Sequence, residues 1–456
     1  MSSSALLSRL QQLQCHFTWD LKKESVDLED LSTRLQNDIQ LQLGKPGAVA
    51  HSYNFLAYVR YSFSKEALSH LNQSEETITE RYADESERRL IVTYGDMAWL
   101  KYHTGDYTHF LLFLQLKYTT GSSTSLLPEV YGEKAWTYLK FSRSSLSKAI
   151  DCFRKALEVQ THDSEWNAGY AIALFRTELV KNLEEGEESP AIKQLRFALE
   201  VNPDDAVLQA MLAVKLVVYK KFHEAKDLVK KALETDPDNP HVIRYIGKYF
   251  RMLDQLDESI DMLERALKRA DQSPFIHHQL ALCYKRKKIA EQSRKPFRAV
   301  RYWRRICIRH LEEAVKIRPS FVLASTDLAL LYAEERDIRR AENIFLQCLQ
   351  KFPEFEESLC QTFHQRYADF HLYHKKNEVE AIAHYTKVSF RRLKQIAERR
   401  LSKNRGDGEA HALLGQVAKA EGNKKKAAEF YEKALDCDVD NAEYLSALCE
   451  LRMELQ

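Results

Sequence analysis

Three residues that can carry a positive charge recur in the sequence at multiples of 34 residues. Arg176, Arg244 and His278 occupy this series, and Ala210 fills the remaining position. If the chain repeats with that period, these side chains point in the same direction from successive units. Guanidinium groups bind phosphate through paired, charge-assisted hydrogen bonds. The spacing therefore predicts an anion-binding strip.

The segment around Arg244 strengthens this prediction. Arg244, Lys248 and Arg251 are spaced i, i+4 and i+7, which places them on one face of a helix. No acidic residue lies between positions 241 and 253. A solvated outer face is the alternative explanation for one such helix, but the cations in phase with it favour a concave strip.

Two further segments are strongly basic. From Lys285 to Arg309 there are 11 Lys and Arg residues and one acid, Glu291. From 387 to 405 there are eight Lys and Arg residues and one acid, Glu398. The formal net charge of +2 therefore hides a strong segregation of charge. Basic patches beside aromatic residues are typical of single-stranded nucleic-acid binding, although a charge run is more often a solvated face.

Motifs for catalysis are absent from the sequence. It contains no phosphate-binding loop, no dinucleotide fingerprint, no His-Glu-x-x-His and no nucleophile elbow. His364, His371 and His374 lie close together with Asp369 nearby, but no cysteine or second cluster completes a coordination shell. The eight cysteines form no Cys-x-x-Cys pair and are expected to be free thiols. We predict no enzyme, no catalytic residue and no metal site.

The elements that position these residues follow from a repeat. Ala198-Leu199, Ala232-Leu233 and Ala266-Leu267 are each 34 residues apart, the period of tetratricopeptide repeats (TPRs). The next step, from 266 to 314, is 48 residues and so contains 14 extra residues within the basic segment. With only 13 Gly and 10 Pro in 456 residues, the chain has few turn-forming residues and is expected to be helical. No apolar run is long enough to span a membrane.

The predicted fold class is an all-α TPR superhelix or solenoid with a central positively charged groove or tunnel. Its first helices would line the concave side. We divide the chain into an N-terminal helical segment, 1–48, and N-terminal and central TPR units, 49–240. Further central TPR units with a basic insertion near 285–310 occupy 241–390, and a C-terminal basic segment and TPR unit occupies 391–456.

One string of residues does not belong to the repeat. Residues 15–19 read Cys-His-Phe-Thr-Trp, and this segment resembles the opening of the interferon-induced proteins with tetratricopeptide repeats, the IFIT family. Similar segments follow at 54–59, at 169–172 and at 277–284, and the C-terminal segment 441–452 is the closest match. The resemblance covers essentially the whole chain.

The resemblance implies an interferon-induced effector of antiviral innate immunity. Such a protein is cytoplasmic and binds the 5′ end of single-stranded viral RNA, a triphosphate or an incompletely methylated cap, in a basic tunnel. Binding inhibits translation of that RNA. The resemblance leaves open a Mg²⁺ ion bridging the bound triphosphate, and other family members or translation initiation factors as protein partners; it implies no other cofactor and no membrane partner. The alternative function is a TPR protein-interaction scaffold in antiviral signalling without RNA end recognition.

The resemblance also assigns site residues. Those that would bind phosphates or the first nucleotides are Lys140, Arg176, Arg244, Tyr245, Lys248, Arg251, His278, Gln279, Arg34 and Asp30. Trp136 would stack on a cap base, and Arg400 and Lys403 would follow the RNA body. Three positions depart from the RNA-binding members: Leu146 and His241 replace Tyr, and Asp38 replaces Gln. These departures leave the choice between triphosphate and cap open.

Overall fold

The computed structural model describes nine stretches of the chain. They are residues 3–23, 26–40, 46–61, 64–110, 127–178, 187–269, 271–294, 297–350 and 357–455. Within these stretches the regular secondary structure is helical, which confirms the all-α TPR prediction. The chain forms two compact units, Met1–Ser320 and Phe321–Gln456. The four segments predicted from the sequence stay a prediction.

The first unit begins with helices that precede the regular hairpins. They are α1 (Ser3–Gln11), α2 (Leu28–Gln40), α3 (Pro46–Val59), α4 (Ser64–Tyr82), α5 (Ser86–Arg89) and α6 (Ile91–His103). Short 3₁₀ segments occupy His16–Thr18 and Ala83–Glu85. The former lies in the Cys-His-Phe-Thr-Trp string, where the His16 ring bonds Asp96 and Thr137 at 2.7 and 2.9 Å. That string therefore ties the N-terminal segment into the core.

Five helical hairpins complete the first unit. They are α7 (Pro128–Phe141) with α8 (Leu146–Val159), α9 (Ser164–Thr177) with α10 (Pro190–Val201), α11 (Ala206–Val218) with α12 (Phe222–Thr235), α13 (Pro240–Met252) with α14 (Leu256–Arg269), and α15 (Pro274–Arg294) with α16 (Phe297–Ile317). The two helices of each pair are in contact. A 3₁₀ turn, Arg143–Ser145, joins α7 to α8.

Polar caps mark the period at the starts of the first helices. The side chains of Asp205, Asn239 and Ser273 accept hydrogen bonds from backbone N–H groups of the helices that follow, at 34-residue steps. An earlier cap, Asp163, lies 42 residues before Asp205, because the connection between α9 and α10 is longer. The repeat therefore slips by eight residues at this point. This slip bears on the candidate site below.

Small residues allow the two helices of a hairpin to approach closely. The recurring alanines Ala198, Ala232 and Ala266 are buried in this way. At Gly247 a Cβ atom would lie 2.7 Å from the Leu263 side chain, so any larger residue would push α13 away from α14. Close packing of this kind makes each hairpin a rigid support for side chains on its first helix.

The 14 extra residues predicted between 266 and 314 extend both helices of one hairpin. Helices α15 and α16 contain 21 residues each, whereas α13 and α14 contain 13 and 14. The extension comprises the last turns of α15 and the first turns of α16. Residues 295–296 of the predicted basic insertion lie outside the described residues.

The second unit contains a further set of helices. They are α17 (Val322–Glu334), α18 (Ile338–Gln350), α19 (Glu357–Phe370), α20 (Glu378–Tyr385), α21 (Phe390–Lys403), α22 (Gly408–Ala420), α23 (Lys424–Cys437) and α24 (Ala442–Leu455), with a π-helical turn at His371–Lys375. Helices α17 with α18, α19 with α20, and α22 with α23 pack as hairpins. Across the described stretches of both units, every helix is too short or too polar to cross a membrane.

Candidate nucleic-acid interface

The predicted cations meet in the first unit, on the first helices of its hairpins. Lys140 lies in the last turn of α7, Arg176 in the last turn of α9, and Arg244 in the second turn of α13. Electrostatic coupling joins all three, because each of them lowers the pKa of His241. We call the cations Lys140, Arg176, Arg244, Lys248 and Arg251 the basic lining.

The argument that placed Arg176 in this set was wrong in one step. Ala210, Arg244 and His278 are each the fifth residue of their helix, so they are in phase. Arg176 is the thirteenth residue of α9, because the longer connection after α9 shifts the repeat by eight residues. Its structural equivalent is Lys140, the thirteenth residue of α7. Arg176 therefore lies near Arg244 because it is at the end of α9. The two residues do not occupy equivalent positions in their helices.

Arg176 is solvent-exposed although protein surrounds it, as expected of a side chain that lines a groove. Its guanidinium donates a 3.3 Å hydrogen bond to the backbone oxygen of Leu139. Burial lowers its pKa, and the positive charge of Arg244 lowers it further, whereas Tyr245 and Asp38 act in the opposite direction. Two guanidinium groups therefore repel each other at this point, and an anion between them would relieve the repulsion.

Arg244 contains a polar atom without a partner. Its Nε is buried, and no hydrogen bond reaches it from the residues that the structure describes. The guanidinium carbon lies 5.0 Å from the Tyr245 ring and 5.3 Å from the Phe275 ring, within the range of cation–π interactions. A buried donor left unpaired costs about 1–3 kcal/mol. A ligand acceptor at this position would recover that free energy.

His241 is held neutral by its neighbours. Burial lowers its pKa well below 6.5, and the charges of Arg244, Arg176 and Lys140 act in the same direction. His241 therefore adds a neutral polar group to the lining and no further charge. A neutral imidazole retains one donor and one acceptor for a ligand.

Asp30 and Arg34 of α2 lie beside the lining. Arg34 Nε donates to Asp30 Oδ2 at 3.1 Å, and Arg34 Nη1 donates to the backbone oxygen of Lys140 at 3.3 Å. Arg318, which the sequence analysis missed, lies 3.4 Å from the same Asp30 oxygen. Burial lowers the pKa of Arg318, and the charges of Arg34 and Arg176 lower it further. Arg318 follows α16 just beyond the predicted basic segment, so a wider window on that segment would have found it.

Lys140 contacts Asp38 of α2 and Ser52 of α3. Its Nζ lies 3.5 Å from Asp38 Oδ2 and donates a hydrogen bond to Ser52 Oγ. The Asp38 carboxylate is thus paired with a cation of the lining. Lys140 is therefore available to an anion only in competition with Asp38.

The lining continues along α13 towards α15. Arg251 donates to Gln279 Oε1 from both Nε and Nη2, at 3.3 and 3.1 Å, which joins two predicted residues directly. Burial, with the charges of Arg251 and Lys215, lowers the pKa of Lys248 to about 8. Lys215 of α11, also missed by the sequence analysis, pairs with Glu178 at 3.1 Å. The row of cations on α13 therefore extends to a neighbouring helix.

Tyr245, His278 and Trp136 are mostly buried. Tyr245 packs edge-on against Phe175 with ring centres 5.7 Å apart, and His278 is 5% exposed. Trp136 is 8% exposed, and its indole Nε1 is buried without a hydrogen-bond partner among the described residues. These three side chains are fixed in place by packing, and little of Trp136 faces solvent.

The remaining predicted residues lie elsewhere. Arg400 is in the second unit, where it bonds to Asp407 at 2.8 Å and to Glu409 at 2.7 Å, so its charge is already compensated. Lys403, on the same helix α21, is exposed. Leu146 begins α8 and is buried in the core of the first unit, so it contributes no polar group to the lining.

The structure gives no support to a protein-held metal ion. Among the described residues there is no group of three or more His, Cys, Asp or Glu side chains that could hold one. The carboxylate of Asp30 is taken up by two guanidinium groups, which do not fit a cation site. His364 bonds to His384 between Nδ1 atoms 2.8 Å apart, and His371 is buried. These histidines belong to the packing of the second unit.

This all-α array of helical hairpins, with cations clustered on the first helices of its first unit, defines a TPR protein. The family model for the N-terminal TPR region of Psidin matches residues 144–296, and a tetratricopeptide-repeat model matches residues 408–438. These matches agree with the hairpins described above.

Comparison with curated proteins places the chain more narrowly. It is 32% identical to the antiviral innate immune response effector IFIT1 of Macaca fascicularis, over 94% of this chain and 95% of that protein. It is 30% identical to the human interferon-induced protein with tetratricopeptide repeats 2, over 95% of this chain and 96% of that protein. The chain therefore belongs to the family of interferon-induced proteins with tetratricopeptide repeats.

Solved structures agree with this assignment. A monomeric mutant of IFIT1 with Gppp-AAAA matches with a TM-score of 0.83 and 31% identity, over 94% of this chain and 99% of that chain. A human IFIT1 dimer with PPP-AAAA matches with a TM-score of 0.79 and 31% identity, over 95% of this chain and 100% of that chain.

Proposed function

We propose that this protein is an antiviral effector that binds the 5′ end of single-stranded RNA in the basic lining of its first unit. The lining would hold the 5′ phosphates, and the bound RNA would be withheld from translation. The mechanism is sequestration and requires no catalytic step. We place this activity in the cytoplasm, where foreign transcripts meet ribosomes.

The observation that carries the proposal is the pair Arg176 and Arg244. Arg176 and Arg244 each lower the pKa of His241. No carboxylate within the described stretches forms an ion pair with either guanidinium group. Arg244 also has a buried Nε without a partner. A buried guanidinium nitrogen is normally hydrogen-bonded, so the unpaired Nε of Arg244 beside a second guanidinium group favours an anionic ligand. A 5′ triphosphate supplies several negative charges within a small volume.

The solved relatives support the nature of the ligand. Structures of IFIT1 that match this chain over its length contain Gppp-AAAA and PPP-AAAA, RNA ends with capping or triphosphate groups. The family resemblance and the unpaired guanidinium groups therefore point to the same class of ligand.

The residues of the lining have distinct roles in this proposal. Arg176, Arg244 and Lys140 would bind the phosphates, with Arg34 and Asp30 completing that end of the lining. Lys248 and Arg251 would neutralise the following phosphates, with Gln279 orienting Arg251 through the observed hydrogen bond. Tyr245 would support the first base by stacking, worth about 1–3 kcal/mol. His278 would complete the wall beside Gln279.

Trp136, Arg400 and Lys403 complete the set of residues in the proposal. Trp136 would stack on a cap base only if its 8% exposed edge widens on binding. Arg400 would contribute to the RNA body only after it leaves Asp407 and Glu409. Lys403 is exposed, so its charge is more accessible to RNA than that of Arg400.

The proposal is tested by comparing two RNAs of one sequence that differ only at the 5′ end. Gel-shift titration of the full chain should show tighter binding to the 5′-triphosphate RNA than to the 5′-hydroxyl RNA. Because the interaction is with phosphates, the affinity should also fall steeply as salt is raised. Equal affinity, or no binding, would refute end recognition and favour a protein-interaction scaffold. Recovery of the RNA uncleaved and unmodified is expected, whereas processing would indicate an enzyme.

A further inference from the structure

The first four turns of α16 present a row of arginines that the proposed 5′-end site does not use. Arg298, Arg301, Arg305 and Arg309 are spaced i, i+3, i+7 and i+11, so they share one face of the helix. All four are exposed. The opposite face contains Cys307, which is fully buried. We call these four residues the α16 stripe.

The α16 stripe lacks compensating carboxylates. No ion pair or hydrogen bond involves any of its four side chains within the described part of the chain. Neighbouring cations on α15 differ in this respect, since Arg286 pairs with Asp254 and Lys287 with Asp257. Within α16 the first acidic residues are Glu312 and Glu313, about one turn beyond Arg309. The stripe is thus an uncompensated patch beside a compensated one.

The stripe is unfavourable for the isolated helix. Arg301 and Arg305, and likewise Arg305 and Arg309, are like charges four residues apart, which destabilises a helix. Cations near a helix N-terminus are also unfavourable because they face the positive end of the helix dipole. The residues at this end of α16 belong to the extension that ordinary 34-residue hairpins lack. A binding role explains an arrangement that helix stability opposes.

An aromatic side chain accompanies the charges. Tyr302 is 58% exposed and lies between Arg301 and Arg305 in sequence. Its ring packs edge-on against Trp303 with centres 4.8 Å apart, and Trp303 in turn stacks on Tyr284 at 5.7 Å. Tyr302 is thus an exposed ring whose position is stabilised by packing against Trp303. Exposed rings among cations form the surfaces on which successive bases stack in single-stranded nucleic-acid binding.

We propose that the α16 stripe, with Tyr302, is a second RNA-binding surface that holds the body of a single strand independently of its 5′ end. Arginines four residues apart rise by about 6 Å along the helix, which suits consecutive phosphates of one strand. An acidic protein would satisfy the charges but would leave the exposed ring unused. The inference rests on the proposed function in that the ligand is RNA, yet the two sites involve different residues.

The test measures equilibrium affinity of the full chain for single-stranded RNA of about 20 nucleotides. Each RNA is prepared with a 5′ hydroxyl and with a 5′ triphosphate. The variant is Arg301→Glu with Arg305→Glu, and the matched control is Lys226→Glu with Lys230→Glu, which makes the same charge change on exposed positions of α12. A milder pair, Arg301→Gln with Arg305→Gln, guards against misfolding. Helicity by circular dichroism should be unchanged in all of them.

We expect the Glu variant to lose affinity about tenfold or more for both RNAs, while the ratio between triphosphate and hydroxyl RNA stays at its wild-type value. The slope of log affinity against log salt should become shallower by about 1.4, or about 0.7 for each phosphate contact removed. Tyr302→Ala should lose about fivefold or more. The Gln pair should show a smaller loss in the same direction.

If the Arg301→Glu with Arg305→Glu variant binds both RNAs within about twofold of the control variant, RNA binding by the α16 stripe is refuted, and the proposed 5′-end binding is unaffected. If the wild-type protein binds triphosphate and hydroxyl RNA equally, and the stripe variant binds both less tightly, the proposed end recognition alone is refuted. Absence of RNA binding in wild type would overturn both.

Discussion

The Lys140 ammonium lies 3.5 Å from the Asp38 carboxylate, so an acid is paired with a cation of the basic lining. The Asp38 charge also raises the pKa of Arg176, opposing the effect of burial on it. One acid thus acts on two of the groups proposed to bind phosphate. It strengthens the lining in the absence of RNA and repels an incoming anion.

Replacing Asp38 with Asn should therefore increase affinity for 5′-triphosphate RNA. Removal of one like charge near the phosphates is worth about 1 kcal/mol, or about fivefold in affinity. Fluorescence anisotropy titration measures the change. The matched control is Asp151→Asn, which neutralises an exposed acid paired with Arg154 on α8. A decrease in affinity for Asp38→Asn alone would show that this carboxylate contributes to ligand binding.

Lys248 makes RNA affinity depend on pH in the weakly alkaline range. Its pKa is lowered to about 8 by burial and by the charges of Arg251 and Lys215. A bound phosphate favours the protonated form, so affinity should be highest below pH 8 and should fall as pH rises through that value. Between pH 7 and pH 9 the loss should be up to about tenfold.

The control for this prediction is Lys248→Arg, since a guanidinium stays charged throughout that range. Its affinity should be nearly independent of pH between 7 and 9 when measured by the same titration. If wild type and variant lose affinity in parallel, another group is responsible and Lys248 does not contact phosphate.

A buried ionic cluster stabilises the N-terminal hairpins. The His51 ring bonds Glu165 at 2.7 Å and also contacts Glu133, and both carboxylates are nearly inaccessible. Despite burial, which lowers it, the pKa of His51 is raised to about 9 by Glu133 and Glu165. Because the folded-state pKa lies above the unfolded value, this stabilisation is fully present below pH 6.5 and is lost as pH rises through 9.

His51→Gln should lower the free energy of unfolding by about 3–5 kcal/mol at neutral pH, since it removes the cation that both buried carboxylates contact directly. Urea denaturation at several pH values measures this loss. The gap between wild type and variant should narrow from pH 6.5 to 9. His109→Gln, at an exposed histidine paired with Asp106, should have little effect. A gap independent of pH would mean that His51 is neutral in the folded protein.

Much of the fold follows from short-range patterns in the sequence. The alanines at 198, 232 and 266 predict closely packed hairpins, and the structure buries them accordingly. The longer connection after α9 has no such signature, because a longer connection leaves the sequence pattern within both flanking helices unchanged. For that reason the 34-residue spacing of Arg176 and Arg244 suggested an equivalence that the structure does not contain.

The site was less predictable than the fold. Cations grouped on one helix, such as Arg244, Lys248 and Arg251, can be recognised from spacing alone. Contacts between distant segments cannot: the approach of Arg318 to Asp30 joins residues almost 300 positions apart, at 3.4 Å. The pairing of Arg400 with Asp407 and Glu409 is likewise decided by packing and not by the basic segment around it.

The central claim is that Arg244 receives the 5′ phosphates, and its most direct test is the affinity of Arg244→Glu for 5′-triphosphate and 5′-hydroxyl RNA of one sequence. The control Arg265→Glu reverses an exposed arginine on α14. We predict that Arg244→Glu keeps wild-type helicity and loses binding to the triphosphate RNA, whereas the control retains it. Undiminished, end-dependent binding by a folded Arg244→Glu protein would contradict the account.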